Sequence, residues 1–534
     1  MPFIAPNQLE TSYDVIILGA GSGGCVVARR LIDQSDARVL LVEAGRADYD
    51  AAPLLDPTAW IPLTGGDYDW GLSYAPNSRL NNRRIPIPRG KVLGGSSAIN
   101  AMMWYRGHPT DYDRWDVPGW AWEDCLPAFK RCETWEEGPS DLRGGNGPLR
   151  INRSPDPHPV ALAVIEGMAE LGYARLGDPN GPSNDGVGLA NYNIDAGKRW
   201  SSATGYLEPV LAHPNLSIVT DMRAKRIIIE GDKAVAAELI IEGQPFVVEA
   251  SSLIVLAAGA FETPRLLTLS GLADESALRR LGINTQVHLP GVGQNLQDHP
   301  LLRAVNFRAK QPSGPARDNG GGAIANVCSH AGLDRPDVHM LPIQKASGGL
   351  DLRQAYDTSG NVFALAPGVM DTKSVGSVTV TGDSPDDPLI IDPNFFDHSD
   401  DWQAMRFGVR LARDVARTKA FEHLYDGLAA PTSLETDEEI DDFIRLACAT
   451  FFHCCGTAKM GAAGDRMAVV DAGLKVLGID GLMVADASII PIIPTCNTHA
   501  PVTMIGERAA EFLIDELARH GFCNADANSQ AVPA

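Results

Sequence analysis

The chain has 534 residues, a formal net charge of −22, 44% hydrophobic residues and 21% charged ones. That length exceeds one hydrophobic core, so two domains or a two-lobed fold are expected. The acidic surface repels phosphate backbones and anionic lipid, which excludes nucleic acid as an expected partner.

Nine cysteines are scattered without a disulfide framework or paired CxxC spacing, which predicts reduced thiols and a cytoplasmic protein. The opening MPFIAPNQLETSYD lacks the basic and apolar regions of a secretory leader. No run of about 18 apolar residues predicts a membrane span.

VIIL (15–18) reads as a buried strand ending at Gly19. Gly19, Gly21 and Gly24, with Ser22 and Gly23 between them, form GxGxxG. VVARRLI (26–32) then has helical spacing, and VLLVEAG (39–45) reads as a second strand. Gly19 allows the tight turn, Gly21 lets backbone approach a pyrophosphate at the helix N-terminus, and Gly24 lets helix and strand pack closely. Glu43 follows at about 20 residues, where a carboxylate can hold ribose hydroxyls. The order strand, glycines, helix, strand, acid predicts dinucleotide binding against the alternative of an unliganded glycine-rich turn. It does not separate FAD from NAD.

RGKVLGGSSAIN (89–100) is a second glycine-rich segment, in which Gly94, Gly95, Ser96 and Ser97 offer donors with little bulk. AMMWYRG (101–107) suits a loop against a flat ring. LIVLAAGA, then TPRLLTLSG, predicts a buried strand and a helix capped by Thr263 with Pro264 at its first position. PGVGQNLQDHP (290–300) reads as a connection, and Gln297, Asp298 and His299 as part of a structural join. Residues 310–324 read as a mobile loop. SVGSVTVTG (374–382) alternates like a half-exposed strand, and helices are expected over 402–417 and 435–447. GLMVADASIIP (481–491) reads as another buried strand. Residues 501–520 predict a helix with Pro501 in its first turn, and 523–534 a frayed tail.

FFHCCGTAKMG (451–461) places His453 behind two phenylalanines and before two cysteines. Taken alone, such a histidine is more often a core residue than a catalytic one. A metal site needs three or four convergent ligands, and adjacent Cys454 and Cys455 cannot easily both bind with His453. Buried inert thiols are expected, and no metal.

Together GAGSGG with Glu43, GKVLGGSSAIN, AAGAFETPRLLTLSG, PGVGQNLQDHP, HCCGTAKMG, VADASIIP and NTHAPVTMIGERAA resemble the glucose–methanol–choline (GMC) family of FAD-dependent oxidoreductases. The likeness runs from Tyr13 to about Ile514 and is strongest to bacterial alcohol oxidases and dehydrogenases such as 5-hydroxymethylfurfural oxidases. The pattern departs at Ala273, where the family usually has Gly. At the place of the histidine that tethers FAD in some members stands Ile99, so non-covalent FAD is expected.

The resemblance implies an α/β fold: a Rossmann-like FAD-binding domain assembled from discontinuous segments, plus an α+β substrate domain with an antiparallel sheet. The expected FAD segments are 1–155, 200–300 and 451–522, and the substrate segments 156–199 and 301–450. Cofactor contacts are expected from Gly19, Gly21, Ser22, Gly23, Gly24, Glu43, Ala44, Gly94, Gly95, Ser96, Asn100, Ala101, Ala224, Ala258, Gly259, Asp486, Ala487, Thr498 and Pro501. Met103, Trp104, Phe451 and Phe452 are expected around the substrate.

His453 is implied as base and His499 as its partner, with the roles open to exchange. An imidazole of pKa about 6.5 can take the hydroxyl proton at neutral pH, while hydride passes to flavin N5. The expected reaction is oxidation of a primary, aromatic or heteroaromatic alcohol to the aldehyde, with O2 reoxidising the flavin to give H2O2. The alternatives are a dehydrogenase using a quinone-type acceptor on an aliphatic or polyol alcohol, and a non-redox hydroxynitrile lyase.

Overall fold

A computed structural model describes residues 3–522 except 242 and 520; the expected tail 523–534 lies outside the described residues. The first glycine motif sits at the centre of a seven-stranded sheet. Its strand, Ser12–Leu18, is flanked by parallel Val39–Val42 and parallel Gln244–Leu256, with Leu216–Val219 beyond Val39–Val42. VIIL and VLLV are buried along their whole length, as continuous apolar runs in a two-sided parallel sheet should be. Gln244–Leu256 serves two neighbourhoods. Its first half pairs antiparallel with Lys233–Ile241, and its second half runs parallel to both Ser12–Leu18 and Leu482–Val484.

Helix Ser22–Gln34 covers this sheet and packs against the C-terminal helix His499–Arg519. The two approach closely because Gly506 faces Val26: a Cβ there would stand 2.8 Å from the valine Cβ. Pro501 lies in the first turn, where its missing N–H is not needed. Strand Leu482–Val484 and the helices Ser22–Gln34 and His499–Arg519 thus share one core with residues 93–151 and 203–292.

A second core surrounds an antiparallel sheet with Tyr425–Ala430, Val305–Ala309, Val362–Val369, Val338–Ile343, Ala323–Val327 and Gly186–Leu189 in sequential contact. Helix Ser399–Ala416 covers it, and helix Asp437–Ala447 starts with a Thr436–Glu439 capping box. Tyr74, Leu80, Ile85 and Ile87 pack in this second core although they lie within the stretch 1–155.

One helix begins earlier than its capping pattern suggests. It spans Gly259–Leu269, with Pro264 inside it. The proline ring leaves the Ala260 carbonyl without its helical donor, and the Thr457 hydroxyl supplies one at 2.6 Å. Thr263 caps nothing; its hydroxyl donates to Asp486 at 2.6 Å, which also accepts the Gly259 N–H at 2.8 Å.

Candidate active site

The two cores meet along a cavity of about 590 Å³, within the size range of small-molecule and cofactor sites. One part of its wall is backbone. Gly19, Gly21, Ser22 and Gly23 line it, with Gly95, Ser96, Ala258, Gly259, Asp486 and Ala487. The fit is tight behind the glycines. A Cβ on Gly23 would stand 2.0 Å from the Ala485 carbonyl oxygen, and one on Gly95 2.7 Å from the Gly21 Cα. Gly21 itself meets nothing nearer than 3.8 Å, leaving its face open for a ligand. Gly24 and Gly94 stand behind this wall, Gly24 against the Gly19 carbonyl and Gly94 donating its N–H to Ala20 at 2.8 Å.

Glu43 lines the same end and accepts the N–H groups of Ala20 at 2.9 Å and Gly45 at 2.8 Å. Burial pushes its carboxyl up to about 7. Ala44, Asn100, Ala101, Ala224 and Thr498 also line the cavity, while Pro501 is buried behind it. The Arg199 guanidinium holds Asn100 by its carbonyl (2.6 Å) and side-chain oxygen (2.8 Å). A bare peptide cradle, a buried carboxylate and the N-terminus of a long helix fit a dinucleotide that carries a pyrophosphate and a ribose.

The other part of the wall is side chain. His453 is presented by a strained turn: Phe452 has φ of 67°, a left-handed conformation that costs a bulky residue about 1–3 kcal/mol. The turn is clamped. Thr450 Oγ1 accepts the Phe452 N–H at 2.7 Å, the Arg89 guanidinium donates to the Phe452 carbonyl, and Asp298 Oδ1 accepts the His453 N–H at 2.8 Å. The Phe451 ring stacks on the His453 ring, with centroids 5.0 Å apart and planes 12° apart.

His453 Nε2 lies 3.1 Å from Asn497 Nδ2, and Nδ1 lies 2.9 Å from His299 Nδ1. The amide N–H donates to Nε2, so the ring proton sits on Nδ1 and is donated to His299. His453 therefore presents a lone pair on the Asn497 side. Burial, then the neighbouring His299, His339 and Arg89, hold its pKa well below the usual histidine value, and burial holds His299 near 3. Both rings are neutral at physiological pH.

The structure pairs His453 with Asn497 and His299, and His499 with other groups. His499 lines the cavity, but its Nε2 lies 3.2 Å from Ser202 Oγ and its ring meets Trp104 edge-on at 5.6 Å. Met103, Phe451 and Phe452 line the cavity. Trp104, only 1% exposed, stands behind the wall and donates its indole N–H to Glu133 at 2.8 Å. His299 and Asp298, read as part of a structural join, hold His453. Asp298 accepts the N–H groups of both His299 and His453, and Tyr74 donates to it at 2.5 Å. Asn497, Arg89 and Arg303 also escaped assignment to the substrate end. For Asn497 the signal was present in NTH, two residues before the histidine that drew attention. Cys454 is a buried thiol, pushed up to about 12, whose Sγ lies 3.1 Å from the Tyr74 hydroxyl. Among the described residues no group of three or more His, Cys, Asp or Glu is placed to hold a metal ion, and no helix is long and apolar enough to cross a membrane.

Profiles of the N- and C-terminal parts of the family described as GMC oxidoreductase match residues 13–301 and 372–506. The chain belongs to the GMC oxidoreductase family. It is 37% identical to the oxygen-dependent choline dehydrogenase of Sinorhizobium fredii over 529 residues, 94% of this chain and 95% of that one. Among solved structures it is similar to pyridoxine 4-oxidase from Mesorbium loti, with a TM-score of 0.88, 32% identity and coverage of 93% and 98%. The formate oxidase of Aspergillus oryzae gives a TM-score of 0.86 at 28% identity, covering 96% and 99%. The GMC family binds FAD and oxidises alcohols.

Proposed function

We propose that this GMC oxidoreductase converts a primary alcohol on an aromatic or heteroaromatic ring to the aldehyde, with O2 as electron acceptor and H2O2 as product. The observation that carries the reading is the His453–Asn497 pair on the wall of the cavity that also contains the glycine cradle. FAD, when bound, supplies the hydride acceptor. His453 takes the hydroxyl proton on Nε2. Asn497 donates its amide N–H to the same oxygen as negative charge develops on it. His299 accepts from Nδ1 throughout, which keeps the ring in one tautomer and one orientation. His499, at the N-terminus of the long helix, belongs to the cofactor side in this reading, where the helix dipole favours negative charge.

Phe451, Phe452 and Met103 in the lining support a flat substrate, as does the likeness to a pyridoxine oxidase. The oxidase names of the solved relatives and the word oxygen-dependent in the name of the curated choline dehydrogenases support O2 as acceptor; the word dehydrogenase in that name is the ground for a second reading, in which a quinone takes the electrons. Anaerobic mixing with benzylic and furanic alcohols tests the chemistry: the oxidised flavin colour is expected to bleach. The His453→Ala variant should keep FAD and bleach about 10²–10⁴ times more slowly. Colour that persists with every alcohol would point to a lyase and overturn the proposal. Peroxide formed in proportion to aldehyde under air identifies the oxidase; turnover only with added quinone identifies the dehydrogenase.

A further inference from the structure

The substrate end of the cavity carries the opposite sign of charge to the rest of the molecule. Arg89, Arg303 and Lys345 line it. The acidic residues of the whole lining are Glu43, Glu262 and Asp486, and each is committed elsewhere. Glu43 holds backbone N–H groups, Glu262 pairs with Arg223 and Arg265, and Asp486 ties helix Gly259–Leu269 to its neighbours.

Arg303 is the unusual member. Its guanidinium carbon lies 5.5 Å from the centroid of Phe452, the residue preceding His453. Its Nε is buried without a hydrogen-bond partner, and among the described residues it forms no ion pair or hydrogen bond. The charged group that most affects it is another cation, Arg353. The side chain as a whole is half-buried, and leaving its buried Nε unpaired is costly. Acidic partners are abundant in a chain with 67 Asp and Glu, yet none is placed here. A planar guanidinium fork matches a carboxylate in two parallel hydrogen bonds.

We propose that Arg303 is a specificity-determining residue that binds a carboxylate on the alcohol substrate, so that the preferred substrates are flat hydroxymethyl compounds bearing an acid group. This rests on the alcohol-oxidising reading above. In the reaction the carbon–hydrogen bond breaks with its electron pair going to FAD, the hydroxyl proton goes to His453, and the carboxylate is unchanged. The same positive lining would repel a quaternary ammonium group, which separates this chain from relatives named for choline.

Two measurements on the FAD-bound protein test the proposal. In the first, 4-(hydroxymethyl)benzoate, 4-methylbenzyl alcohol and (4-hydroxymethylbenzyl)trimethylammonium are compared by anaerobic flavin bleaching. The carboxylate is expected to exceed the neutral alcohol by about tenfold to a hundredfold in kcat/KM, mostly through KM, and the cation to be poorest. In the second, the unreactive pair benzoate and benzamide are titrated against the flavin spectrum. Benzoate should bind the more tightly, and Arg303→Gln should abolish the difference while Arg303→Lys restores part of it. Equal handling of acid and neutral alcohols, or equal binding of benzoate and benzamide, overturns the assignment of Arg303 and leaves the alcohol chemistry standing. Selective benzoate binding with no bleaching by any alcohol upholds the anion site and overturns the alcohol chemistry instead. If Arg303→Gln does not fold, Arg303→Lys carries the assignment: it should weaken the preference for benzoate, and an unchanged preference would overturn Arg303 as its source.

Discussion

The two ends of the cavity are built in different ways. The cradle end is made of peptide groups at glycines, held at distances where one added carbon would collide with a neighbouring carbonyl. The other end, proposed above to take the substrate, is made of side chains drawn from distant parts of the chain: Arg89, Arg303, His453 and Asn497. Backbone recognition leaves no room for variation and serves a cofactor shared by a family. Side-chain recognition can be rewritten residue by residue, and that is where members of one family diverge in substrate.

The largest effect should come from the cradle. Gly23→Val places its Cβ 2.0 Å from the Ala485 carbonyl, and the purified variant is expected to be colourless with a lowered melting temperature. Colour retained would show that the cradle is less rigid than the substrate end. Next comes the choice of partner for the base. Asn497→Ala should slow flavin bleaching about 10²-fold, the size of losing one oriented donor, while His499→Gln should slow it by no more than about a factor of ten. The reverse ranking would return His499 to the substrate side.

A smaller effect is pH dependence at Glu43. Its carboxyl is raised from 4.5 to about 7 by burial, so the cofactor-free fold is most stable with Glu43 protonated and loses that stability as pH rises through about 7. Ribose hydroxyls donate to the ionised form, so FAD affinity should weaken as pH falls below about 7. Titrations of FAD into Glu43→Gln should lose that slope. The smallest effect belongs to Trp104→Phe. Removing the indole N–H from buried Glu133 should cost about 1–3 kcal/mol of stability, read by thermal melts, and leave the ranking of alcohols unchanged because Trp104 stands behind the wall.

The same division governs what could be read from the sequence. The strands Ser12–Leu18 and Val39–Val42, the glycines and Glu43 lie close together in the chain, and their spacing carries their geometry. The helix His499–Arg519 was legible from its apolar spacing and Pro501. Helix Gly259–Leu269 was misjudged at its start because the donor that makes Pro264 tolerable, Thr457, is remote in sequence. His453 was legible through its motif, but its partners were not. Asn497 and His499 are separated by one residue, and only the backbone path into the long helix decides which of them meets His453. His299 and Arg303 sit in or beside a Gly/Pro-rich connection that carries no periodic signal. Their roles arise from contacts with residues more than a hundred positions away.

The packing of two helices far apart in sequence into one core has a consequence for biosynthesis. Helix Ser22–Gln34 rests on His499–Arg519, which emerges only after several hundred further residues. Until that second helix has emerged, the nascent protein is expected to expose an unfinished apolar face beside its glycine turn. Premature termination anywhere before His499–Arg519 should therefore yield aggregation-prone fragments unable to capture the vitamin-derived prosthetic group.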